Sequence, residues 1–273
     1  MTIKTKEEIE LMRENGKRLS RVLDRVVELA RPGVTTAELD QLAERLIIES
    51  GGKPSFKGYR VKGISVGYPA TMCISINEEV VHGIPRNNRI LREGDIVGLD
   101  IGMWYPRSAT GSRKLEMGEK ENAPVTSLCT DMAVTIGIGQ IAKEAQRLID
   151  ATRESLNIGI AKVKAGATVG DIGSAIEFFL RKNNLGIIRD LAGHGVGYEV
   201  HEEPLIPNYG KAGKGEELKE GMVIAIEPMA TLGDWHVMLA EDQWTFKTMD
   251  NSLGAHFEHT MAVMKTGADV LTK

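Results

Sequence analysis

The chain has 273 residues, which is enough for one large domain or for two fused halves. Hydrophobic residues make up 42% and charged residues 26%, a balance typical of a globular protein with a sizeable core. The formal net charge of −4 argues against affinity for nucleic acid. The N-terminus has no apolar signal core and no stretch is long enough to span a bilayer, so we expect a cytoplasmic protein without a membrane partner. Cys73 and Cys129 provide no disulfide framework and fit a reducing compartment.

The first recognisable element is a helix–turn–helix pattern that occurs twice in the chain. Residues 31–44 align with residues 164–177 at a constant offset, 164 − 31 = 133. In each copy a helix ends before a glycine, and the next helix begins at a capping box of the form Thr-x-x-acid, at Thr35 and at Thr168. The alternative is coincidental capping chemistry. The repeat predicts two similar halves, each a helix pair followed by strands.

Next along the chain, two apolar segments with strand alternation each contain one aspartate. In residues 96–103 the large apolar side chains fall on one face, and Asp100 falls on the other between two glycines. In residues 128–136 the same alternation places Asp131 opposite the large apolar side chains. If the two strands pair, both aspartates share one face with small neighbours, which leaves room for ions.

A polar segment separates these two strands. Residues 106–126 carry both signs of charge and show no clear periodicity. We expect a surface loop, because long hairpin insertions cost little closure entropy. The alternative is a flap that covers the site or contacts a partner. Because each flanking strand keeps its own alternation, we expect the ladder between them to set the register.

Three further chemistry-bearing residues lie in or beside apolar segments of the second half. His194 stands among glycines in residues 193–197, where bare backbone lets other groups approach closely. Glu227 ends an apolar run and is followed by Pro228, which cannot continue a central ladder. Glu258 lies in a strand-like run near the end of the chain. Taken singly, each is more simply a solvated edge-strand acid or a satisfied core histidine, but together they favour a shared site.

The four carboxylates and one imidazole predict a dinuclear metal site. An unpaired buried charge is very unfavourable, and two divalent cations would cancel about four negative charges. An oxygen-rich set with one imidazole and no thiolate favours Mn, Fe, Co or Zn over a structural zinc site. Two such ions act by lowering the pKa of a bridging water and by holding a tetrahedral intermediate, so hydrolysis is the expected reaction class. The predicted ligands are Asp100, Asp131, His194, Glu227 and Glu258.

The chain also resembles a known family, the methionine aminopeptidases of bacterial type I, over almost its whole length. The ordered stretches that carry the resemblance are 73–77, 82–85, 94–100, 129–133, 193–197, 201–204, 226–229 and 257–260. The resemblance implies an α+β pita-bread fold, in which two pseudo-symmetric helix-plus-antiparallel-strand halves face each other around a central metal site. It implies a single catalytic domain over residues 1–273, with halves of approximately 1–136 and 137–273. It also implies that the five residues above are the ligands of two divalent ions.

The same resemblance assigns catalytic and substrate-binding roles. His82 matches a histidine that hydrogen-bonds near the scissile bond or the substrate amine, and His201 matches one that contacts the scissile peptide and stabilises the developing oxyanion. Glu227 would be both a metal ligand and the general base for the attacking water. The alternative for each histidine is simple solvation in a polar loop.

A pocket for the methionine side chain is implied as well. A thioether favours apolar, ring-edge contacts, and the implied wall consists of Tyr59, Tyr68, Cys73 and Trp244. Residues 60–67 make one loop longer than is usual in the family, and Val200 replaces an aromatic residue of some members. We therefore expect a somewhat wider or less stacked pocket. The alternative for the two tyrosines is ordinary half-buried packing.

Three functions are compatible with these residues. The leading one is removal of the initiator methionine from nascent proteins when the second residue is small, by a monomer with transient ribosome contact. The second is prolidase-like cleavage before proline, which shares the fold and ligands; the context of His82 and the absence of the N-terminal domain usual in prolidases argue against it. The third is a non-catalytic binding module of the same fold, which typically loses metal ligands, whereas all five are present here.

Overall fold

The structure, a computed structural model, describes residues 1–61, 66–106 and 127–273. Four helices lie in these ranges: α1 (Lys6–Leu29), α2 (Thr36–Glu49), α3 (Lys143–Ile160) and α4 (Val169–Lys182). The capping boxes predicted at Thr35 and Thr168 are confirmed, and α1 begins with a third one at Thr5. Each threonine hydroxyl accepts a hydrogen bond from the backbone three residues later, so free N–H groups of the first turn find partners. Among the described residues, no helix is long and apolar enough to cross a membrane.

Fifteen strands occur in the described residues: β1 (Lys53–Pro54), β2 (Met72–Ile76), β3 (Glu79–Val81), β4 (Ile96–Pro106), β5 (Ser127–Gly137), β6 (Gly186–Ile187), β7 (Ala192–Gly195), β8 (Glu202–Pro207), β9 (Val223–Ile226), β10 (Met229–Thr231), β11 (Val237–Leu239), β12 (Phe246–Thr248), β13 (Gly254–His256), β14 (Glu258–Met264) and β15 (Gly267–Val270). Nine form the main sheet, in the order β1-β4-β5-β14-β9-β7-β8, with β2 beside β4 and β15 beside β14. Two three-stranded sheets, β13-β10-β6 and β11-β12-β3, complete the fold.

The predicted pairing of the two aspartate strands is confirmed. An antiparallel ladder between β4 and β5 places Asp100 opposite Ala133 and Gly102 opposite Asp131. Opposite residues of a ladder share a face, so both carboxylates point to the same side of the sheet. The ladder continues to Pro106, which pairs with Ser127. Pro106 therefore belongs to the strand and not to the predicted loop, whose remaining residues, 107–126, lie outside the described part of the chain.

The other face of β4 and β5 packs against the first helix pair. Leu99 and Ile101 of β4 are fully buried in one apolar cluster with Leu19 of α1 and Leu39 of α2. The same alternation that buries these side chains turns Asp100 away from the helices, because successive strand residues point to opposite faces. The helices therefore position the site indirectly, by holding the back of the strands that carry it.

The second helix pair covers the second half of the sheet in the same way. Ile172 and Ile176 of α4 are fully buried in a cluster with Ile224 of β9 and Met261 of β14. α3 packs on α4 and also contacts β5, β9, β10 and β13. The arrangement is the α+β combination of helix pairs and antiparallel strands that the repeat predicts.

Matching backbone hydrogen bonds show that the two halves repeat in three dimensions. The carbonyl of Val34, just before α2, accepts a hydrogen bond from the N–H of Leu91 at 2.8 Å. The carbonyl of Ala167, just before α4, accepts a hydrogen bond from the N–H of Leu218 at 2.7 Å. Each helix pair is thus tied to the segment preceding its own pair of central strands by the same contact.

Candidate active site

Five adjacent strands of the main sheet each bring one of the predicted ligands to the same place. Asp100 lies on β4, Asp131 on β5, Glu258 at the start of β14, Glu227 directly after β9, and His194 on β7. These strands are consecutive in the sheet. Apart from Glu227, each residue is at most 9% exposed, and the side chain of Glu227 is 13% exposed. The sheet therefore gathers residues that are far apart in sequence into one buried cluster.

His194 lies close to three of the four carboxylates. Its Nε2 lies 3.6 Å from Glu227 Oε1, 3.7 Å from Asp131 Oδ2 and 3.9 Å from Glu258 Oε1. Its other nitrogen, Nδ1, lies 2.8 Å from the carbonyl oxygen of Gly195. A carbonyl only accepts hydrogen bonds, so Nδ1 carries a proton, and Nε2 is the nitrogen that would bind a metal ion.

Three of the five residues are already arranged to hold an ion. Asp131, His194 and Glu258 each offer one donor atom, and these atoms lie within 4.8 Å of one another. Thr260 orients the aspartate, because its hydroxyl lies 2.8 Å from Asp131 Oδ1 and accepts a hydrogen bond from the Asp131 backbone N–H at 3.1 Å. Hydrogen bonds of this kind reduce the rotamer freedom of a ligand side chain before the ion binds.

The four carboxylates are related in pairs by the internal repeat. Glu227 follows Asp100 by 227 − 100 = 127 residues, and Glu258 follows Asp131 by 258 − 131 = 127 residues. Each half of the protein therefore supplies two acids from two paired strands, β4 and β5 in the first half and β9 and β14 in the second. The site lies at the junction of the halves, where β14 pairs with β5.

Electrostatics support a cation at this site. Burial, reinforced by neighbouring carboxylates, raises the pKa of Asp100 to about 7 and that of Glu227 to about 8. The pKa values of Asp131 and Glu258 are raised as well, in both cases mainly by burial. Asp100 Oδ1 is buried and has no hydrogen-bond partner among the described residues. Such a cluster is costly unless cations neutralise it, and oxygen-rich donors with one imidazole fit divalent ions.

A cavity of about 160 Å³ opens beside the carboxylates, and all the predicted site residues line it. Its apolar wall includes Tyr68 and Trp244, whose rings meet edge to face at 5.2 Å, and Cys73, which pairs with Asp100 in the β2–β4 ladder. Tyr68 lies within hydrogen-bond distance of the carbonyls of Met72 and Gly83, at 3.2 Å and 2.9 Å. The aromatic wall is therefore fixed by the backbone behind it.

The two predicted catalytic histidines both face this cavity. Burial, with a smaller contribution from the neighbouring His256, lowers the pKa of His82 to about 4. His201 stands at the exposed side, where its ring meets that of His194 edge to face at 4.4 Å. The hydroxyl of Tyr59 lies 2.7 Å from Nδ1 of His201, which is hydrogen-bond distance. Tyr59 thus contacts a predicted catalytic residue in addition to lining the cavity.

Two departures from the family pattern, Val200 and the longer loop, lie near this pocket. Val200 is buried in an apolar cluster against which Tyr59 packs, and it is not among the described residues that line the cavity. The expectation that the pocket is somewhat wider or less stacked because Val200 replaces an aromatic residue stays a prediction. Of the longer loop, residues 62–65 lie outside the described ranges.

Sequence reasoning assigned no role to several lining residues. They include Phe56, Val61, Val81, Leu191, Met229 and His256. The apolar ones come from loops and short strands in which no periodicity singles out a pocket-facing position. His256 carried a usable signal, because strand alternation places it on the same face as Glu258, two residues later.

Comparison with known proteins agrees with this geometry. The model of metallopeptidase family M24 matches residues 10–112 and 122–265. The methionine aminopeptidase of Clostridium acetobutylicum is 42% identical over 270 residues, covering 99% of this chain and 98% of its own length. Methionine aminopeptidase 1 of Bacillus subtilis is 39% identical over 270 residues, with 99% and 98% coverage.

Solved structures identify the fold as the pita-bread fold. The methionine aminopeptidase of Thermotoga maritima superposes with a TM-score of 0.88 at 40% identity, covering 100% of this chain and 99% of its own. The prolidase of Pyrococcus horikoshii shares the fold alone, with a TM-score of 0.72 at 22% identity over 63% of its length. The family match, the full-length relatives and the clustered acids and imidazole together show that the chain belongs to metallopeptidase family M24.

Proposed function

We propose that this chain is a methionyl aminopeptidase that removes the N-terminal methionine from nascent proteins when the second residue is small. The observation that carries the proposal is the convergence of four acids and one imidazole from five adjacent strands beside a cavity with an apolar, aromatic wall. The full-length likeness to methionine aminopeptidases at about 40% identity supports the substrate class.

The metal centre holds two divalent ions in this proposal. The residues that would bind them are Asp100, Asp131, His194, Glu227 and Glu258. When bound, the ions supply Lewis acidity that acidifies water and polarises a peptide carbonyl. Two ions are favoured over one because four buried carboxylates are otherwise uncompensated, and because Asp100 and Glu227 lie outside the trio that converges within 4.8 Å.

Glu227 is the general base that accepts the proton of the attacking water. It directly follows β9 and is less enclosed than the other acids, with 13% of its side chain exposed, so its carboxylate reaches the cavity. A base works best when its pKa lies near the operating pH, and burial moves the Glu227 carboxyl in that direction. Its position after the strand, before Pro228, holds the backbone outside the ladder while the side chain faces His194.

His201 donates a hydrogen bond to the oxygen on which negative charge develops. With the phenol of Tyr59 as donor to Nδ1, the proton of the imidazole resides on Nε2, the nitrogen left free for substrate. His82 also lines the cavity, and its lowered pKa keeps it neutral, so it can hydrogen-bond the substrate amine without adding a second positive charge.

The methionine side chain occupies the apolar part of the cavity. Tyr68, Cys73 and Trp244 form one cluster of buried side chains there, with Tyr59 packed against it. Ring edges and a thiol are polarisable and suit a thioether. A charged or bulky polar side chain would lose its hydration in this pocket without a partner, which favours methionine.

Several broader features belong to the proposal and rest on the family resemblance. We propose that the chain works as a single catalytic domain and as a monomer, in the cytoplasm, on N-termini that emerge from the ribosome. Contact with the ribosome would be transient. Sedimentation of the purified chain tests whether it is a monomer. Co-sedimentation with ribosomes at low and high salt tests whether it binds them transiently.

One assay separates this function from its alternatives. The purified chain, stripped of metal and reloaded with Mn²⁺ or Co²⁺, is given Met-Ala-Ser or Ala-Pro-Ser. We expect methionine release from the first peptide and no cleavage of the second. Cleavage of Ala-Pro-Ser alone would identify a prolidase-like enzyme, and cleavage of neither would indicate a binding module.

A catalytic-site variant tests the assigned roles. His201→Ala should fold, keep its metals and lose roughly a hundredfold or more in kcat, the scale typical of one oxyanion donor. Near-normal kcat in this variant would show that His201 is only structural.

A further inference from the structure

His256 is a buried histidine of the site that has no role in the proposed mechanism. It is the last residue of β13 and only 3% exposed. Its backbone is held on both sides by Thr135 of β5, whose hydroxyl accepts from the His256 N–H at 2.9 Å and donates to its carbonyl at 2.8 Å. Such a two-point attachment fixes where the imidazole stands relative to the sheet.

The imidazole points at Glu227. His256 Nε2 lies 3.4 Å from Glu227 Oε2, and it has no hydrogen-bond partner among the described residues. The other oxygen of the same carboxylate, Oε1, lies 3.6 Å from Nε2 of His194. The Glu227 carboxylate therefore lies between two imidazoles, and each of its oxygens faces one of them.

We propose that His256 is a positioning residue, whose Nε2–H donates a hydrogen bond to Glu227 Oε2 and thereby presents Oε1 to the metal and to the attacking water. A buried ring nitrogen without a partner is unfavourable, and a shift of a few tenths of an ångström brings this pair within the usual hydrogen-bond range of about 2.7–3.2 Å. Each carboxylate oxygen has two lone pairs, so Oε2 accepts this bond and still has a pair available for an ion.

This role rests on the proposed function, because it takes Glu227 to be a ligand and the general base. Hydrogen-bonding partners of metal ligands restrict the orientation of the ligand, and losing one typically lowers metal affinity by about 10–100-fold. The two backbone contacts with Thr135 of β5 hold His256 at the end of β13, which leaves its imidazole well placed for such support.

Two substitutions distinguish a hydrogen-bond donor from an imidazole ligand. His256→Gln keeps a neutral N–H donor of similar reach but removes the imidazole, whereas His256→Leu removes the donor. In calorimetric titration of the metal-free protein with Mn²⁺, we expect His256→Leu to bind about 10–100-fold more weakly and His256→Gln to stay within about threefold of the unmodified chain. At saturating Mn²⁺, kcat for Met-Ala-Ser should fall in His256→Leu with little change in KM, and His256→Gln should restore it.

The controls make each outcome decisive. His259, a half-buried histidine near the site, hydrogen-bonds Thr272 at 3.0 Å and does not line the cavity within the described chain. His259→Leu should leave Mn²⁺ affinity unchanged. Should His256→Leu fail to fold, His256→Asn replaces it, because its shorter amide cannot reach Glu227.

Three results would overturn the positioning role: unchanged affinity in His256→Leu, equal weakening in His256→Gln, which would indicate a direct imidazole ligand, or equal weakening in His259→Leu. The titration does not depend on the substrate. If the unmodified chain fails to cleave Met-Ala-Ser, the proposed function is wrong. The comparison of Mn²⁺ affinities still tests the contact between His256 and Glu227 in that case.

Discussion

An ion pair between Lys4, near the N-terminus, and Glu202, directly after His201, connects the start of the chain to the site. The side chain of Lys4 is fully buried, that of Glu202 is 7% exposed, and Lys4 Nζ lies 2.7 Å from Glu202 Oε2. The ammonium also lies 4.7 Å from the ring centre of Tyr198 and hydrogen-bonds the hydroxyl of Thr2. We predict that this pair stabilises the fold far more than an ordinary surface ion pair does.

The structure sets the expected size of the effect. Lys4→Met keeps most of the apolar stem but leaves the Glu202 carboxylate without its cation, and removing one member of a buried pair typically costs about 3–5 kcal/mol. Glu202 Oε1 still accepts backbone hydrogen bonds from Tyr198 at 2.6 Å and Glu199 at 3.2 Å. We therefore expect the free energy of unfolding to fall by the lower end of this range, about 3 kcal/mol. At about 2–4 °C per kcal/mol, Tm should fall by roughly 6–12 °C.

Urea unfolding of the metal-free protein measures this loss. The matched control is Lys57→Met, because Lys57 also pairs with a glutamate, Glu44, at 2.6 Å, but with its side chain 47% exposed. A pair of that kind contributes at most about 1 kcal/mol. In the double variant Lys4→Met with Glu202→Gln, the free energy of unfolding should recover in part, because the uncompensated charge is gone. A loss of less than about 1 kcal/mol in Lys4→Met, equal to that of the control, would refute the reasoning.

Four further predictions concern the site and the strands that carry it. Asp100→Asn should lower metal occupancy and activity together, and full two-metal occupancy by metal analysis would refute its assignment as a ligand. Tyr59→Phe keeps the aromatic wall but removes the hydroxyl contact with His201, so kcat should fall by roughly three- to tenfold with KM little changed, on the scale of one hydrogen bond between neutral groups. A rise in KM alone would show that Tyr59 only lines the pocket. Burial raises the folded-state pKa values of Asp100 and Glu227 to about 7 and about 8, so the folded, metal-free protein binds more protons than the unfolded chain, and its free energy of unfolding should fall as pH rises from about 5 to 8. Urea titrations in the presence of a chelator check the sign of this pH dependence. Loading the protein with Mn²⁺ should largely remove the dependence. Replacing residues 107–126 with Asn-Gly should preserve Met-Ala-Ser cleavage, because the β4–β5 ladder sets the register; a folded but inactive product would show that this segment completes the site.

Much of the site could be predicted because its residues lie in local sequence patterns, such as strand alternation and helix caps. Strand alternation placed Asp100 and Asp131 on one face, and the ladder between β4 and β5 confirms it. The capping boxes at Thr35 and Thr168 form as predicted, since a cap involves only the three residues that follow it. The boundary at Pro106 was wrong by one residue, because its pairing with Ser127 depends on the partner strand and not on its own sequence.

Two side-chain contacts between distant segments could not be predicted. Tyr59 meets His201 across 142 residues, and Lys4 meets Glu202 across 198. Neither pair shares a strand, a helix face or a periodicity, so no local rule connects them. Val200 illustrates the same limit, because its neighbour His201 faces the cavity while Val200 itself packs into the core.

The sequence by itself determined which donors are present, the strands that carry them and the charge that needs cations. Only the tertiary structure decided the strand order β4-β5-β14-β9-β7, which brings one donor from each strand to a single point. That order depends on backbone hydrogen bonds between separate segments, and any strand can form such bonds with any other. The pairing that joins the two halves, β5 with β14, places Ala133 opposite Glu258, which is 258 − 133 = 125 residues away. The choice is made by the two helix pairs, whose apolar faces must be buried against the back of the sheet, and this burial turns the carboxylates toward each other on the opposite side.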